Sequence, residues 1–437
     1  MNPLSLDQPW GRGYRPTHTH AFADGSQLPS TPFLPRGLGR SYGDVCLNDG
    51  GTLLHNFRRD RLLAFDHARG VLRCESGATL ADIAQTLLPR GWFLPVVPGT
   101  RFVTVGGALA NDVHGKNHHV AGSFGRFVES LSLMRSDVSS SLTLSGDDTL
   151  YSATIGGLGL TGLILEASLR LKAVPGPGIE QEVRLFGGER GAGGIADYLA
   201  LDAESKTWEY TVGWIDTLDR NLRGVFFRGR HCEGPDEWLV PQPTRLMLPI
   251  DAPQWVLGRC SARAFNALYY RLHSIKTAQR SVIPIWPFFF PLDAVNGWNR
   301  AYGRRGFIQY QFVVPTVGAR ETIPRILAHL REAGVASYLA VIKTFGDLPS
   351  PGWLSFPMAG TTVALDVPAP GSDDRRALDE ADAMVADAGG RVYPAKDARM
   401  SPAMFRRFFP RWHELEAARD PLISSSFWRR VTGDLKA

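Results

Sequence analysis

Gly99, Gly106, Gly107 and Gly115 fall in one stretch that also carries Asn111, Asp112, His114, Lys116, Asn117, His118 and His119. Such a stretch has too few large apolar side chains to pack a core by itself. Residues without a Cβ let backbone N–H groups come close to a ligand. Successive N–H groups at turns form a concavity suited to phosphate oxygens. A surface loop is the bland account of this composition. The sharper one is a cradle for a large, flat, phosphorylated cofactor. Leu34 to Asp44, with Gly37, Gly39 and Gly43, is a second loop of the same kind. His114, His118 and His119 crowd together, but Asp112 is the one carboxylate beside them, so no metal is expected.

The elements around these loops set where they can point. Thr79 is placed to cap a helix, because Leu80, Ile83, Ala84, Leu87 and Leu88 recur at helical spacing. Gly157-Leu158-Gly159-Leu160-Thr161-Gly162 matches G-x-G-x-x-G, a dinucleotide fingerprint that must open a helix. Leu163 to Leu171 instead alternates as a strand does, so a Rossmann unit is set aside. Pro175-Gly176-Pro177-Gly178 breaks the chain and reads as a domain boundary. Beyond it, strands are expected at 207–215, 225–228, 307–314, 337–345 and 361–367. Helices are expected at 320–333 and 373–387. Gln309 and Gln311 then share one strand face. Residues 235–254 read as a loose segment. The sum is an α+β fold on a mostly antiparallel sheet.

The 437 residues suit two domains. Hydrophobic content of 44% and charged content of 21% are ordinary for a globular chain. The net charge of +5 is scattered rather than clustered, which argues against nucleic acid as a partner and fits an anionic small substrate or an acidic membrane surface. Cys46, Cys74, Cys232 and Cys260 show neither C-x-x-C nor zinc-like spacing and read as reduced thiols. The first sixteen residues lack the apolar core of a signal peptide, and no stretch approaches the length of a membrane span. The expected location is the cytoplasm, with peripheral contact at the inner membrane included in that expectation.

Arg36-Gly37-Leu38-Gly39-Arg40-Ser41-Tyr42-Gly43-Asp44, Pro98-Gly99-Thr100-Arg101, Val103 to Ala108, His114 to His119 and Ala121 to Gly125 occur here in order. They are followed by Trp298 to Gly303, Gln309 to Phe312, Lys343, Phe345 and Tyr393-Pro394-Ala395-Lys396-Asp397. Together these resemble the vanillyl-alcohol-oxidase (PCMH-type) flavoproteins, and within them the decaprenylphosphoryl-β-D-ribose 2-oxidase family. The resemblance implies a two-domain fold, with an FAD-binding domain built from both chain ends (1–178 and 391–437). A substrate domain (179–390) is inserted between them. It implies FAD, held without a covalent bond, because Arg40 stands where other members of the superfamily attach flavin through a His.

The same resemblance implies the chemistry. A secondary alcohol, C2 of a polyprenyl-phosphate-linked ribose, loses hydride to the flavin. A separate NAD(P)H-dependent short-chain ketoreductase completes the epimerisation to the arabinose form. Lys396 and His114 are the implied catalytic residues. Cofactor contacts are implied for Arg36, Gly37, Leu38, Gly39, Arg40, Ser41 and Tyr42 in the first loop. In the second loop they are implied for Gly99, Thr100, Arg101, Val103, Thr104, Gly107 and Asn111. His114, Gly115, Asn117, His118, Ile164 and Tyr393 complete the set. Substrate contacts are implied for Tyr42, Gln309, Gln311, Lys343, Phe345 and Lys396, with Lys343 meeting the lipid phosphate and the two Gln meeting sugar hydroxyls. Ile285 to Phe290 is either packed core or a flap that receives polyprenyl at the membrane. Two other readings stand beside this one: an FAD-dependent oxidase of a free or nucleotide-linked sugar or alditol, and a flavoprotein that binds without turnover.

The chain departs from the family pattern at Ala364, where the family has a Cys beside the substrate, at Thr362 for an Asn, and at Phe289 and Phe290 for a Tyr and a His. A thiol-directed covalent inhibitor of that family is therefore predicted to leave this protein unmodified at residue 364. Intact-mass spectrometry followed by peptide mapping checks this, and an adduct at that position would contradict the alignment.

Overall fold

Strand Phe307–Pro315 alternates sides, with Ile308, Tyr310, Phe312 and Val314 on one face and Gln309 and Gln311 on the other, and nearly all of it is buried. The computed structural model describes residues 8–13, 21–23, 28–188, 193–242, 246–253, 256–275, 277, 279–368 and 371–433. In it this strand belongs to an eight-stranded antiparallel sheet. The order is Arg280–Pro284, Gly178–Phe186, Gly224–Cys232, Tyr210–Ile215, Ala340–Phe345, Gly360–Pro368, Phe307–Pro315 and Arg391–Val392.

Helices Gly194–Glu204, Ala319–Glu332 and Ser372–Asp387 cover one face of that sheet. Tyr198, Ile323, Ile326, Leu330, Leu378 and Val385 share a core there with Phe226, Phe312, Ile342 and Leu365. Each such side chain contributes about 1.5–3 kcal/mol by leaving water. The opposite face carries Gln309, Gln311, Val341, Lys343, Ala364 and Asp366. Register fixes this, because Gln309 pairs with Asp366, Gln311 with Ala364, and Val341 with Ala364.

A five-stranded antiparallel sheet carries the glycine-rich half, in the order Leu62–Asp66, Val71–Glu75, Leu163–Arg170, Val128–Met134 and Leu142–Ser145. The segment after the G-x-G-x-x-G run is thus a strand. Helix Leu80–Leu87 starts at a capping box in which Thr79 and Asp82 exchange side-chain and backbone bonds. Thr104 caps the short helix Val105–Ala110, its hydroxyl accepting from the Gly107 N–H. A parallel three-stranded sheet holds Ala21–Ala23, Thr52–His55 and Phe33–Arg36.

Helices Pro402–Phe408, Trp412–Ala418 and Ser426–Thr432 bring the end of the chain back to its beginning. Phe33 forms a β-bridge with Ile423. Arg430 donates to both Asp44 oxygens at 2.8 Å and to Asp397 at 2.9 Å. Both carboxylates are almost fully buried.

Several elements differ from the sequence reading. The break at 175–178 leads at once into strand Gly178–Phe186, because Gly178 lets the chain run against the Glu233 carbonyl, 2.2 Å from where a Cβ would lie. The strand expected at 225–228 runs from Gly224 to Cys232. Helix Arg259–Ser274 was not expected, although Phe265, Leu268 and Leu272 recur at helical spacing; that stripe faces outward. Residues 235–254, read as loose, include a turn of 3-10 helix, Asp236–Trp238, and a strand, Leu246–Met247, paired with Val295–Asn296. Residues 243–245 and 254 of that segment lie outside the described residues. Ile285–Phe289 is a helical turn with Ile285, Trp286, Phe288 and Phe289 buried, as is Phe290 after it, so the packed reading holds there rather than the exposed flap. All four cysteines are free.

Arg430→Met would leave Asp44 and Asp397 buried without their shared cation. The expected cost is about 3–5 kcal/mol of stability, read as a lowered denaturation midpoint in thermal or denaturant unfolding.

Candidate active site

One cavity of about 640 Å³ runs between the glycine loops and the uncovered face of the large sheet, a size suited to a sizeable ligand. The first loop lines it throughout, from Arg36 and Gly37 through Leu38, Gly39, Arg40 and Ser41 to Tyr42. From the second come Gly99, Thr100, Val103, Thr104, Gly107 and Asn111, then His114 and Gly115. Leu158, Gly159 and Ile164 close one side. Gln309, Gln311, Lys343, Tyr393 and Lys396 close the other.

Four residues singled out from the sequence stand off this wall. Arg101 donates its backbone N–H to Asp293 at 2.9 Å and lays its guanidinium over Phe102 and Trp286. Asn117 turns away to donate to the Pro95 carbonyl at 2.8 Å. His118 packs on Phe345, ring centroids 4.5 Å apart. Phe345 backs the wall from behind, against the His114 ring at 4.8 Å. Sequence spacing could not separate these from their neighbours, because in a tight turn adjacent side chains leave in opposite directions.

The wall fits a dinucleotide with a flat ring system. A Cβ on Gly99 would meet nothing within 4 Å, and one on Gly159 would meet only Ala110 at 4.0 Å, so both backbones border open cavity. Gly39 has φ +60°, and a Cβ there would collide with the Arg36 guanidinium at 2.2 Å; this conformation and this closeness suit only glycine. Asn56 Oδ1, Asn111 Oδ1, His114 Nδ1, Gln309 Oε1 and Gln311 Oε1 are buried on this wall with no protein partner. Buried polar atoms are costly unless something bonds them, and five around one cavity suit a polar ligand. Arg40 donates to the Phe102 carbonyl at 3.1 Å and stacks on Trp10 at 4.2 Å.

The titratable groups form a chain. Asp366 accepts from the Tyr302 hydroxyl at 2.9 Å and from the Gln309 amide. Burial pushes its carboxyl up to about 6, against those bonds and the charge of Lys396. Lys396 ends the turn Pro394–Lys396 and lies 5.7 Å from the Tyr42 ring centre. Burial first, and the charge of Lys343 second, push Lys396 down to about 7, while Asp366 pulls the other way. Burial lowers Lys343 to about 8. Burial and Lys343 lower Lys116 to about 7. Each of these lysines is half-buried because it borders the cavity.

His114 is held neutral by burial, then by the charges of Lys343 and Lys396. The Gln311 amide donates to its Nε2 at 3.0 Å and to the Thr362 hydroxyl at 3.0 Å. The proton then sits on Nδ1, the nitrogen left for a ligand. The Tyr393 hydroxyl donates to the Asn111 carbonyl at 3.0 Å.

Sequence reasoning missed Lys116, Asp366 and Tyr302. Lys116 donates to the Phe288 carbonyl and lies 4.6 Å from the Phe288 ring centre. Its signal was a cation inside a glycine loop. Asp366 could have been found from strand alternation, since it falls on the same face as Ala364 and opposite Gln309. The aromatic wall of Trp214, Phe227, Phe265 and Tyr269 comes from elements too far apart in sequence to be seen together.

Residues 26–138 match the family described as an FAD binding domain. The chain is 34% identical over 418 residues, 91% of its length and 88% of the relative's, to a decaprenylphosphoryl-β-D-ribose oxidase of Mycolicibacterium smegmatis. It is 34% identical over 381 residues to a Streptomyces coelicolor protein described only as uncharacterised, covering 81% of this chain and 99% of that one. A D-lactate dehydrogenase of Anaerostipes hadrus is 30% identical over 159 residues, 35% of this chain and 32% of the relative. With the mycobacterial identity sustained over nearly the whole chain and the glycine loops closing on one cavity, this protein belongs to the decaprenylphosphoryl-β-D-ribose oxidase family of FAD-dependent oxidoreductases.

Proposed function

We propose that this chain oxidises C2 of a polyprenyl-phosphate-linked ribose to the 2-keto sugar. The observation that carries the reading is the make-up of one cavity. At one end, Lys396, His114, Gln309 and Gln311 stand near Lys343, and Lys116 marks the passage to the apolar part, against Phe288 and Phe289. Beyond it, the wall is Val212, Trp214 and Phe227, on the strands farther from Gln309 and Gln311. A lipid-phosphate sugar has the matching order of parts: hydroxyls, one phosphodiester charge, hydrocarbon. No carboxylate offsets burial at Lys343 or Lys116, which favours an arriving anion.

The bound FAD supplies a hydride acceptor, and the protein supplies placement and charge. The loops 36–42 and 99–115 hold the cofactor. Lys396 Nζ, neutral above its lowered pKa, takes the hydroxyl proton as the C–H bond breaks. His114 Nδ1–H donates to the sugar or to the flavin edge. Gln309 and Gln311 fix the sugar through their free amide oxygens. Lys343 pairs with the phosphate. On this reading residues 1–178 and 391–437 form the FAD domain and 179–390 the substrate domain. The cofactor is non-covalent, since Arg40 cannot form the flavin bond. The 2-keto product passes to a separate NAD(P)H-dependent ketoreductase, and the hydrocarbon chain brings the protein to a membrane. Among the described residues, no helix is long and apolar enough to cross one.

Anaerobic mixing tests the substrate class. Farnesylphosphoryl ribose is expected to bleach the flavin absorbance, whereas xylitol and free ribose leave it unchanged. Bleaching by xylitol instead would support the alditol reading, to which the replaced cavity residues Phe289 and Ala364, and Thr362 behind Gln311, lend weight.

Lys396→Ala is expected to slow this flavin reduction by about a hundredfold or more while FAD stays bound. In the unaltered protein the reduction rate should fall as pH drops through about 7, because protonation removes the base. A stopped-flow pH series on both proteins reads this, and an unchanged rate in the variant would remove Lys396 from the role.

A further inference from the structure

Exposed large apolar side chains are not scattered over this molecule. Among the described residues, all but Val120, Val138 and Val317 fall between Val240 and Val282. Helix Arg259–Ser274 carries the densest group. Its inner face is Ala262 and Asn266, which are fully buried, and Tyr269, which packs on Trp214 at 4.6 Å. Its outer face shows Phe265 at 46%, Leu268 at 57% and Leu272 at 54% exposure, followed by Ile275 at 73%. These four stand at i, i+3, i+7 and i+10, one continuous stripe. Val282 lies on the edge strand Arg280–Pro284 that follows the helix in sequence, and it too is exposed. A stripe this apolar facing water needs a partner.

Charge says which partner. From Val256 to Leu292 the sequence contains Arg259, Arg263, Arg271, Lys276 and Arg280 and not one Asp or Glu. Arg263, Arg271 and Arg280 are exposed. Arg280 is taken up by Glu180 and Glu182 of the neighbouring strand, but Arg263 and Arg271 flank the stripe with no acid in its own segment, which suits a surface that is both greasy and negative. The helix is also part of the cavity wall, through Phe265, Tyr269 and His273. Phe265 thus belongs to both the outer stripe and the inner wall.

We propose that the outer face of helix Arg259–Ser274, extended by Ile275 and Val282, seats on an anionic phospholipid bilayer. There the mouth beside Phe265 opens toward the hydrocarbon from which a lipid-linked substrate is drawn. The purpose of this surface rests on the lipid-substrate reading above. Its observations do not, and the experiment uses no sugar.

The FAD-loaded full chain is floated with vesicles of phosphatidylcholine containing about 30 mol % phosphatidylglycerol, and with phosphatidylcholine alone. The expected result is flotation with the anionic vesicles, weakened by about 0.5 M salt. In Leu268→Glu/Leu272→Glu the bound fraction should fall by about tenfold or more. Val317→Glu, at an even more exposed apolar site elsewhere, should float as the unaltered protein does. Flavin absorbance and the thermal midpoint of both variants should match the parent, which separates lost docking from lost folding. Failure of the unaltered protein to float would overturn the proposal. So would equal flotation of the double variant, or equal flotation with neutral vesicles. A dimer in size-exclusion chromatography that the double variant converts to monomer, with no flotation by either, would overturn it in favour of a second copy of the chain. Bleaching by farnesylphosphoryl ribose in vesicle-free solution reports on the substrate reading alone.

Discussion

The guanidinium of Arg430 holds two buried carboxylates from distant parts of the chain, Asp44 in the first glycine loop and Asp397 next to Lys396. Two such carboxylates would repel one another and lose their hydration without it. With it, the last helix, the first loop and the turn Pro394–Lys396 become one rigid corner. The cavity depends on that corner, because it fixes Lys396 beside Tyr42 and opposite the large sheet. Close fit reinforces the ion pairs. A Cβ on Gly43 would lie 1.7 Å from the Asp397 carbonyl, so the two segments meet backbone to backbone.

Once the corner is set, the chemistry follows from where charge can go. The sheet face turned to the cavity carries Lys343 and Asp366, and the glycine loop adds Lys116. Burial lowers the pKa of every lysine there, and the charge of Lys343 lowers Lys116 and Lys396 further. Asp366 is the opposing group, and it is itself anchored by Tyr302 and Gln309. The result is a lysine near neutrality at the place where an alcohol proton has to be received. The same cations would attract a phosphate. His114 is kept neutral by this crowding, so it can orient through Nδ1–H without adding charge.

The large sheet divides its two faces by strand alternation. Helices claim the apolar side, and the polar end of the other side has no helix over it, so it faces the glycine loops. The cavity is therefore a consequence of the sheet having one committed face. Helix Arg259–Ser274 caps the aromatic end and leaves its own apolar stripe outward. Inside and outside surfaces of like character meet at Phe265.

Composition and order of residues determined much of this. The glycine loops, the strand after Gly162, the capped helix at Thr79 and the shared face of Gln309 and Gln311 are local matters, set by missing Cβ atoms, hydrogen-bonding side chains and two-residue periodicity. The family likeness also lay in the linear motifs. Tertiary structure alone decided which loop residues face the cavity and which turn away, as Arg101, Asn117 and His118 do. It alone brought Asp366 and Tyr302 to Lys396, and Arg430 to Asp44. These pairings join segments far apart in the chain. Burial, on which the altered pKa of each lysine in the cavity, of His114 and of Asp366 rests, belongs to the packed whole and cannot be read from any one stretch.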